Sequence, residues 1–257
     1  MKAIWTGAIG FGLVNIPVKM YSATEDSNID LDMLDKKDHS NIKFKRVNEK
    51  TGKEVAWENI VKAYDYEGKY VVLDDEDFDK AMPEKTKILS IDSFVKEDEI
   101  DSIFFETPYY LEPQKNGEAP YKLLTEALKK TSMVGVGTFV MRNKEALGIL
   151  RVYQEVLTFH RIRYAQEIRS TSDLTIPSKA VKPAELKMAV ALIEQLSEKF
   201  DISAYKDEYA KALMKVIETK AKGKKLTQPK MKVVHNKAKD LMEQLKESLA
   251  NSKKKVS

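Results

Sequence analysis

The 257-residue sequence contains no cysteine. That excludes disulfide staples, thiolate metal sites and a cysteine nucleophile, and it fits a reducing compartment. Long apolar runs are missing as well. The longest, AIGFGLV at residues 8–14, falls far short of the ~20 residues a membrane-spanning helix requires, and Asn15 and Pro17 follow it at once. No small-residue cleavage site comes after it, so the run does not read as a secretion signal. Histidine is scarce: residues 39, 160 and 235 are far apart, and none has a second histidine at ligand spacing. The phosphate loop GxxxxGK[ST], the GxSxG elbow and HExxH do not occur, and Gly223-Lys224-Lys225 lacks both the upstream glycine and the hydroxyl residue of the first. The expectation is a cytoplasmic, non-enzymatic chain with no catalytic residue, no metal, no cofactor and no membrane partner. A nuclease acting through scattered carboxylates is the least supported reading.

What is present is charge, unevenly spread. The 44 basic and 40 acidic side chains leave a net charge of only +4, yet residues 51–100 hold seven lysines against fourteen acids and residues 201–257 hold fifteen lysines against seven. One end should avoid polyanions and the other seek them. The acidic run at residues 74–79 reads as a helix start, where negative charge complements the helix dipole.

The first two thirds read as β-rich. Segments 42–47, 69–73, 88–95, 103–111, 134–141, 147–153 and 156–164 are short and rich in β-branched or aromatic residues. Many short strands with few helices between them favour an antiparallel barrel or sandwich. Glycines 7, 10 and 12, in a strand-like N-terminal segment, read as relieving crowding at a bend or close backbone approach rather than as cradling a phosphate. Short helices are expected at 75–82, stopped by Pro83, and at 121–130. After Pro177 the period lengthens to that of a helix. Pro183 suits a first helical turn, and Leu186, Ala189, Val190, Ile193, Leu196 and Phe200 mark one face. A second helix carries Tyr205, Tyr209, Leu213, Val216 and Ile217 and stops at Gly223. From Thr219 to Lys239 there are eight lysines and no acid, which reads as a basic linker, and a last amphipathic segment carries Leu241, Met242, Leu245 and Leu249.

Five of the six arginines (142, 151, 161, 163, 169) fall within 28 residues. Arg161 and Arg163, two apart in an expected strand, share a face beside Phe159. Guanidinium groups suit phosphate, so outward arginines on paired strands would form a positive stripe along a nucleic-acid backbone. Pairing with the acids of residues 51–100, or stacking on aromatics, stands open beside that reading. The lysine tail offers sequence-independent attraction with strong salt dependence, or simple solubility.

The blocks MKAIWTGAIGFGLVNIPVKMYSAT, FKRVNEKTGKEVAWENIVKAYDYEGKYVVLDDEDF, EIDSIFFETPYYLEP, GTFVMRNKEALGILR and RYAQEIR resemble the prokaryotic Ku family over about residues 1–220. The resemblance implies a mixed α and β, β-dominated fold: a Ku-like β-barrel and extended bridge over residues 1–178, a helical C-terminal arm over 179–222, and a lysine-rich tail over 223–257. It further implies a homodimeric ring that threads onto double-stranded DNA ends in non-homologous end joining. The ring would recruit and stimulate a multidomain ATP-dependent DNA ligase and be nucleoid-associated. Expected DNA contacts are Lys43, Lys45, Arg46, Arg142, Arg151, Arg161, Arg163, Arg169, Lys220, Lys222, Lys224, Lys225, Lys230 and Lys232. Where many relatives carry Cys-x-x-Cys before the GKEV block, this chain has Asn48 and Thr51, so no metal role passes to that pair. The alternative is a general DNA-packaging protein with no preference for ends.

Overall fold

The computed structural model describes residues 1–81, 87–141, 144–224, 243–246 and 248. Its contacts gather into two compact units, one of residues 1–26 and 31–170 and one of residues 27–30 and 171–257.

The first unit contains strands β1 (Trp5–Phe11), β2 (Val14–Ser22), β3 (Lys62–Tyr66), β4 (Lys69–Leu73), β5 (Ile88–Lys96), β6 (Phe105–Pro113), β7 (Met133–Met141), β8 (Lys144–Tyr153) and β9 (Val156–Ile162). Seven of them close a barrel in the order β1-β2-β6-β9-β8-β7-β5. Neighbours are antiparallel except where β5 runs parallel to β1 and completes the circle. Closure leaves no exposed sheet edge in the barrel. Alternation along the strands fills it: Ile16, Val18 and Met20 of β2 and Leu157 and Phe159 of β9 are all fully buried. Phe139 sits edge-on to Phe159 and Trp5, with ring centroids 5.0 and 6.3 Å apart. Each such side chain contributes about 1.5–3 kcal/mol by leaving water.

Backbone closeness inside the barrel depends on glycine. A Cβ on Gly137 would lie 1.9 Å from the Ser90 carbonyl oxygen of the neighbouring strand. Because a backbone atom cannot swing aside, Gly137→Ala should cost about 3 kcal/mol or more, read as a lowered midpoint in denaturant titration.

Two helices belong to this unit, α1 (Asp75–Ala81) and α2 (Glu118–Thr131). The acidic run does open α1, where Asp74 and Asp77 accept each other's backbone N–H at 2.9 and 3.1 Å. Helix α2 packs on β7 and β8 and buries Tyr121, Leu124, Thr125 and Leu128. The Tyr121 hydroxyl donates to the Leu111 carbonyl and accepts the Leu157 N–H, both at 2.7 Å, which ties α2 to two barrel strands. Removing it in Tyr121→Phe leaves a buried N–H unpaired and should cost about 1–3 kcal/mol, measurable by the same titration.

Between β2 and β5 the chain makes a long excursion holding the β3–β4 hairpin, whose turn places Glu67 and Gly68 at φ 52° and 82°. Its surface is unusually apolar: Phe44, Trp57 and Tyr70 are 80%, 71% and 78% exposed. The sequence reading of 42–47 as a strand fails here. That stretch has only isolated bridges at its margins, Leu34 to Asn41 and Val47 to Glu54. Conversely β3 escaped notice, because Asp65 and the turn glycine interrupt a short β-branched-poor run.

The second unit contains α3 (Pro183–Leu196) and α4 (Glu208–Ala221). Both are shorter than their apolar periodicity predicts. Ser197 leaves the helical region and its hydroxyl donates back to the Ile193 carbonyl, ending α3. Phe200 and Tyr205 therefore lie in the connection, their ring centroids 6.1 Å apart. Asp207 caps α4 by accepting the Ala210 N–H at 2.8 Å. Gly223 stops it as expected: at φ 69° it donates to the Lys220 carbonyl while Lys224 donates to that of Thr219. Neither helix has a buried residue, and Leu186, Val190, Ile193 and Leu196 remain exposed. Met82, Pro83 and, of the amphipathic segment, Leu241, Met242 and Leu249 lie outside the described residues.

Candidate nucleic-acid interface

The strand register decides where the arginines go. Gly148 pairs with Arg161 and Leu150 with Phe159, whereas Arg151 pairs with Thr158. Arg161 thus shares the parity of the core residues Leu157 and Phe159 and sits at the barrel's mouth, while Arg151 projects from the opposite face of the sheet. Among the described residues, Arg151 and Arg161 do not share one outward stripe. A pairing offset by one residue puts the two on different sides.

Arg151, Arg161 and Arg163 are also anchored. Arg161 Nε lies 2.7 Å and Arg163 Nη2 3.3 Å from the carboxylate of Glu106, so one acid joins the two guanidinium groups. Arg163 further donates to the carbonyls of Ile103 and Phe105 at 3.3 and 3.0 Å. Arg151 Nη1 contacts Glu97 at 2.6 Å, and its Nε is buried without a hydrogen-bond partner. The pairing of Arg151 with an acid of residues 51–100 follows the alternative that the sequence left open. Beside Arg161, a groove lined by Lys144, Glu145, Tyr164 and Glu167 adds one cation and two acids. The mouth is a balanced ionic cluster with half-exposed guanidinium groups. His160 adds no positive charge nearby, since burial, helped by the Arg151 charge, holds its imidazole below the ordinary value.

The other expected contacts divide into engaged and free. Lys45 pairs with Glu54 at 2.6 Å, and the Arg46 guanidinium stacks 4.5 Å from the Trp57 ring centre. Lys43, Arg169, Lys220, Lys222 and Lys224 are exposed and make no ion pair among the described residues. Arg142, Lys225, Lys230 and Lys232 lie outside the described residues. Sequence reasoning missed Glu106, the residue that organises Arg161 and Arg163. Its sequence signal is weak, since the same strand carries a second acid, Glu112, among its aromatic and aliphatic residues.

Residues 48–53 form a hydrogen-bonded turn. The Asn48 side-chain oxygen accepts from the N–H groups of Lys50 and Thr51, both at 3.0 Å, and the Asn48 carbonyl accepts from Gly52 at 2.8 Å. No group of three or more histidine and carboxylate side chains among the described residues is placed to hold a metal ion. No helix among them is long and apolar enough to cross a membrane.

Comparison with known proteins matches residues 10–188 to the family model described as Ku70/Ku80 beta-barrel domain. A protein of Coxiella burnetii (strain RSA 331) named Non-homologous end joining protein Ku is 38% identical over 98% of this chain and 96% of its own length. Proteins of the same name are 41% identical in Bacillus subtilis (strain 168), covering 87% of this chain and 73% of that one, and 38% identical in Archaeoglobus fulgidus, covering 88% and 90%.

Proposed function

This chain belongs to the Ku family, and from that premise we propose that it is a DNA-end-binding protein of non-homologous end joining. Two copies close into a ring that a duplex enters only through a free terminus. The observation that carries this reading is the near full-length match to proteins of that name, laid over a closed barrel with a long, apolar-surfaced excursion. We read residues 1–178 as barrel and bridge, 179–222 as a helical arm and 223–257 as a basic tail.

The physical chemistry supports the reading in two respects. A protein that holds any broken end cannot rely on base-edge hydrogen bonds, which would tie it to a sequence. It needs phosphate contacts, and the unpaired lysines at the end of α4 are suited to them. Second, an isolated two-stranded hairpin is marginal in water, and α3 leaves its apolar side uncovered. Both need a partner surface, which isologous pairing of two identical chains supplies. The protein has no catalytic role in this scheme and delivers the end to a multidomain ATP-dependent ligase in the nucleoid-associated cytoplasm. Sedimentation of the pure protein should give twice the 29.3 kDa chain mass. Blocking both termini of a linear duplex with bulky caps should prevent binding. A monomer, or undiminished binding to the capped duplex, would overturn the ring.

The Glu106 bridge gives a test with opposite signs. If Arg161 and Arg163 contact phosphate, Glu106 competes with DNA for them. Replacing both arginines by glutamine should weaken binding to all duplex sequences alike, by about 1–3 kcal/mol for two charge-assisted contacts. Glu106→Gln should tighten it. Charge reversal is a poorer probe, since it would gather three carboxylates at one point. Titrations with labelled duplex of two unrelated sequences check both signs. Weaker binding in Glu106→Gln, with the fold intact, would assign the cluster to holding β6 against β9.

A further inference from the structure

Arg161 and Arg163 stand at one end of the barrel. Helix α2 stoppers the other, where Tyr121 meets Leu111 and Leu157. The stopper is incomplete. Along one side of α2, from Pro120 to Thr131, an open groove of about 560 Å³ separates the helix from Phe11, Val14, Phe94 and Met133 at the strand ends. No charged side chain lines it. Leu123 on its rim is 72% exposed, and Leu13, in the β1–β2 turn beside Val14, is fully so. Two lysines flank the Met133 end. Lys96 is the cross-strand partner of Met133 and shares the sheet face of Phe94, two residues back. Lys130 follows Leu123 by seven residues and so lies on the same side of α2. Both are exposed and make no ion pair among the described residues, whereas Lys129 is taken up by Glu126 and Glu155. The acids after Lys96 begin a turn beyond the strand, and the first of them, Glu97, is held by Arg151.

An apolar channel beside a helix, with protruding leucines on its rim, marks an interaction surface. We propose that this groove receives an amphipathic helix of a partner protein, with apolar side chains in the groove and acidic residues at one end against Lys96 and Lys130. The length fits. Three turns of α2 border the groove, roughly 16 Å, which matches anchors at i, i+3, i+4 and i+7 of a facing helix. A small anionic amphiphile would fill the cavity but leave Leu13 and Leu123 in water. A second copy seated isologously would bring Lys96 and Lys130 of both chains together, and like charges across an interface are costly. The charge at the rim therefore selects an acidic partner of different sequence. Because the groove and the arginine cluster occupy opposite ends of the barrel, such a partner and a nucleic acid at the arginines would not compete for one surface. The inference is independent of the ring and of end recognition.

The probe is a fluorescein-labelled helical peptide of about four turns, lactam-bridged because a free helix of that length is marginal in water. It carries leucines at i, i+3, i+4 and i+7, glutamates in its first turn and neutral residues elsewhere. A twin has lysines in place of the glutamates. Fluorescence anisotropy with the full-length protein, without DNA, should show saturable binding of one glutamate peptide per chain. That binding should be about tenfold tighter than for the twin. The double variant Lys96→Gln, Lys130→Gln should erase most of this preference, which separates the rim from the basic charge elsewhere on the chain. Leu123→Ser, at an exposed position, should weaken the glutamate peptide about tenfold with native circular dichroism. Absence of saturable binding, equal affinity for the twins, a preference that survives the double variant, or unchanged affinity in Leu123→Ser would each overturn the proposal. Saturable uptake of dodecanoate without peptide binding would assign the groove to a small amphiphile instead. A Leu123→Ser protein that sediments as a lighter species than the unmodified one would assign it to contact between copies.

Discussion

Covalently closed circular duplex should compete for this protein at least about tenfold less well than linear duplex of the same length and sequence, a difference of roughly 1.4 kcal/mol or more. Both molecules present the same phosphates and the same base edges. Any protein that binds by charge alone must treat them alike, because counterion release depends on phosphates neutralised and not on topology. Only a binding mode that requires a terminus separates the two. The described residues hold no continuous positive stripe that would grip the side of a duplex: Arg151 faces away from Arg161, and Glu97 and Glu106 occupy their guanidinium groups. Cutting the circle once with a restriction enzyme should restore full competition, and a single-strand nick should not. Equal competition by circle and linear duplex would instead favour the packaging reading. Time-dependent cleavage of the competitor in the presence of Mg²⁺ or Mn²⁺ would revive the nuclease.

The barrel was legible because its strands obey simple alternation. Segments predicted at 88–95 and 134–141 coincide with the barrel strands β5 and β7 to within a residue at either end, as 69–73 does with β4 of the hairpin. The glycine stop of α4 was legible because a left-handed turn after a lysine-rich helix end leaves few other residues possible. Strand order was not. The parallel contact of β1 with β5 joins segments about eighty residues apart in the chain, and nothing local encodes it. The relative placement of the arginines was not legible for a related reason. Two arginines at strand spacing share a face, and Arg161 and Arg163 do meet at one carboxylate. Whether a third arginine on the neighbouring strand joins them depends on register, which the turn at Gln154 sets with φ 54°. The apolar stripes of α3 and α4 overran the true helix ends because periodicity records which residues want burial, while Ser197 and Asp207 record where the backbone changes direction.

Removing residues 225–257 should sharply reduce both DNA affinity and its dependence on salt, while leaving the dimer. The cut belongs after Lys224 because Gly223 and Lys224 satisfy the last carbonyls of α4, so an earlier truncation would fray the helix and confuse charge with folding. Nine lysines and three acids are lost. If about four of those lysines reach phosphate at once, the slope of log affinity against log salt falls by about 3.6, at roughly 0.9 for each contact. The gap between full-length and truncated protein then closes by about a hundredfold between 50 and 200 mM salt. A folding defect would lower affinity by a constant factor at every salt concentration, so the convergence of the two curves is the diagnostic quantity. Sedimentation at each salt concentration separates the remaining possibility. The apolar surfaces assigned to dimer formation all precede the cut, so a truncated protein that sediments as a single chain would place part of the dimer contact in the tail.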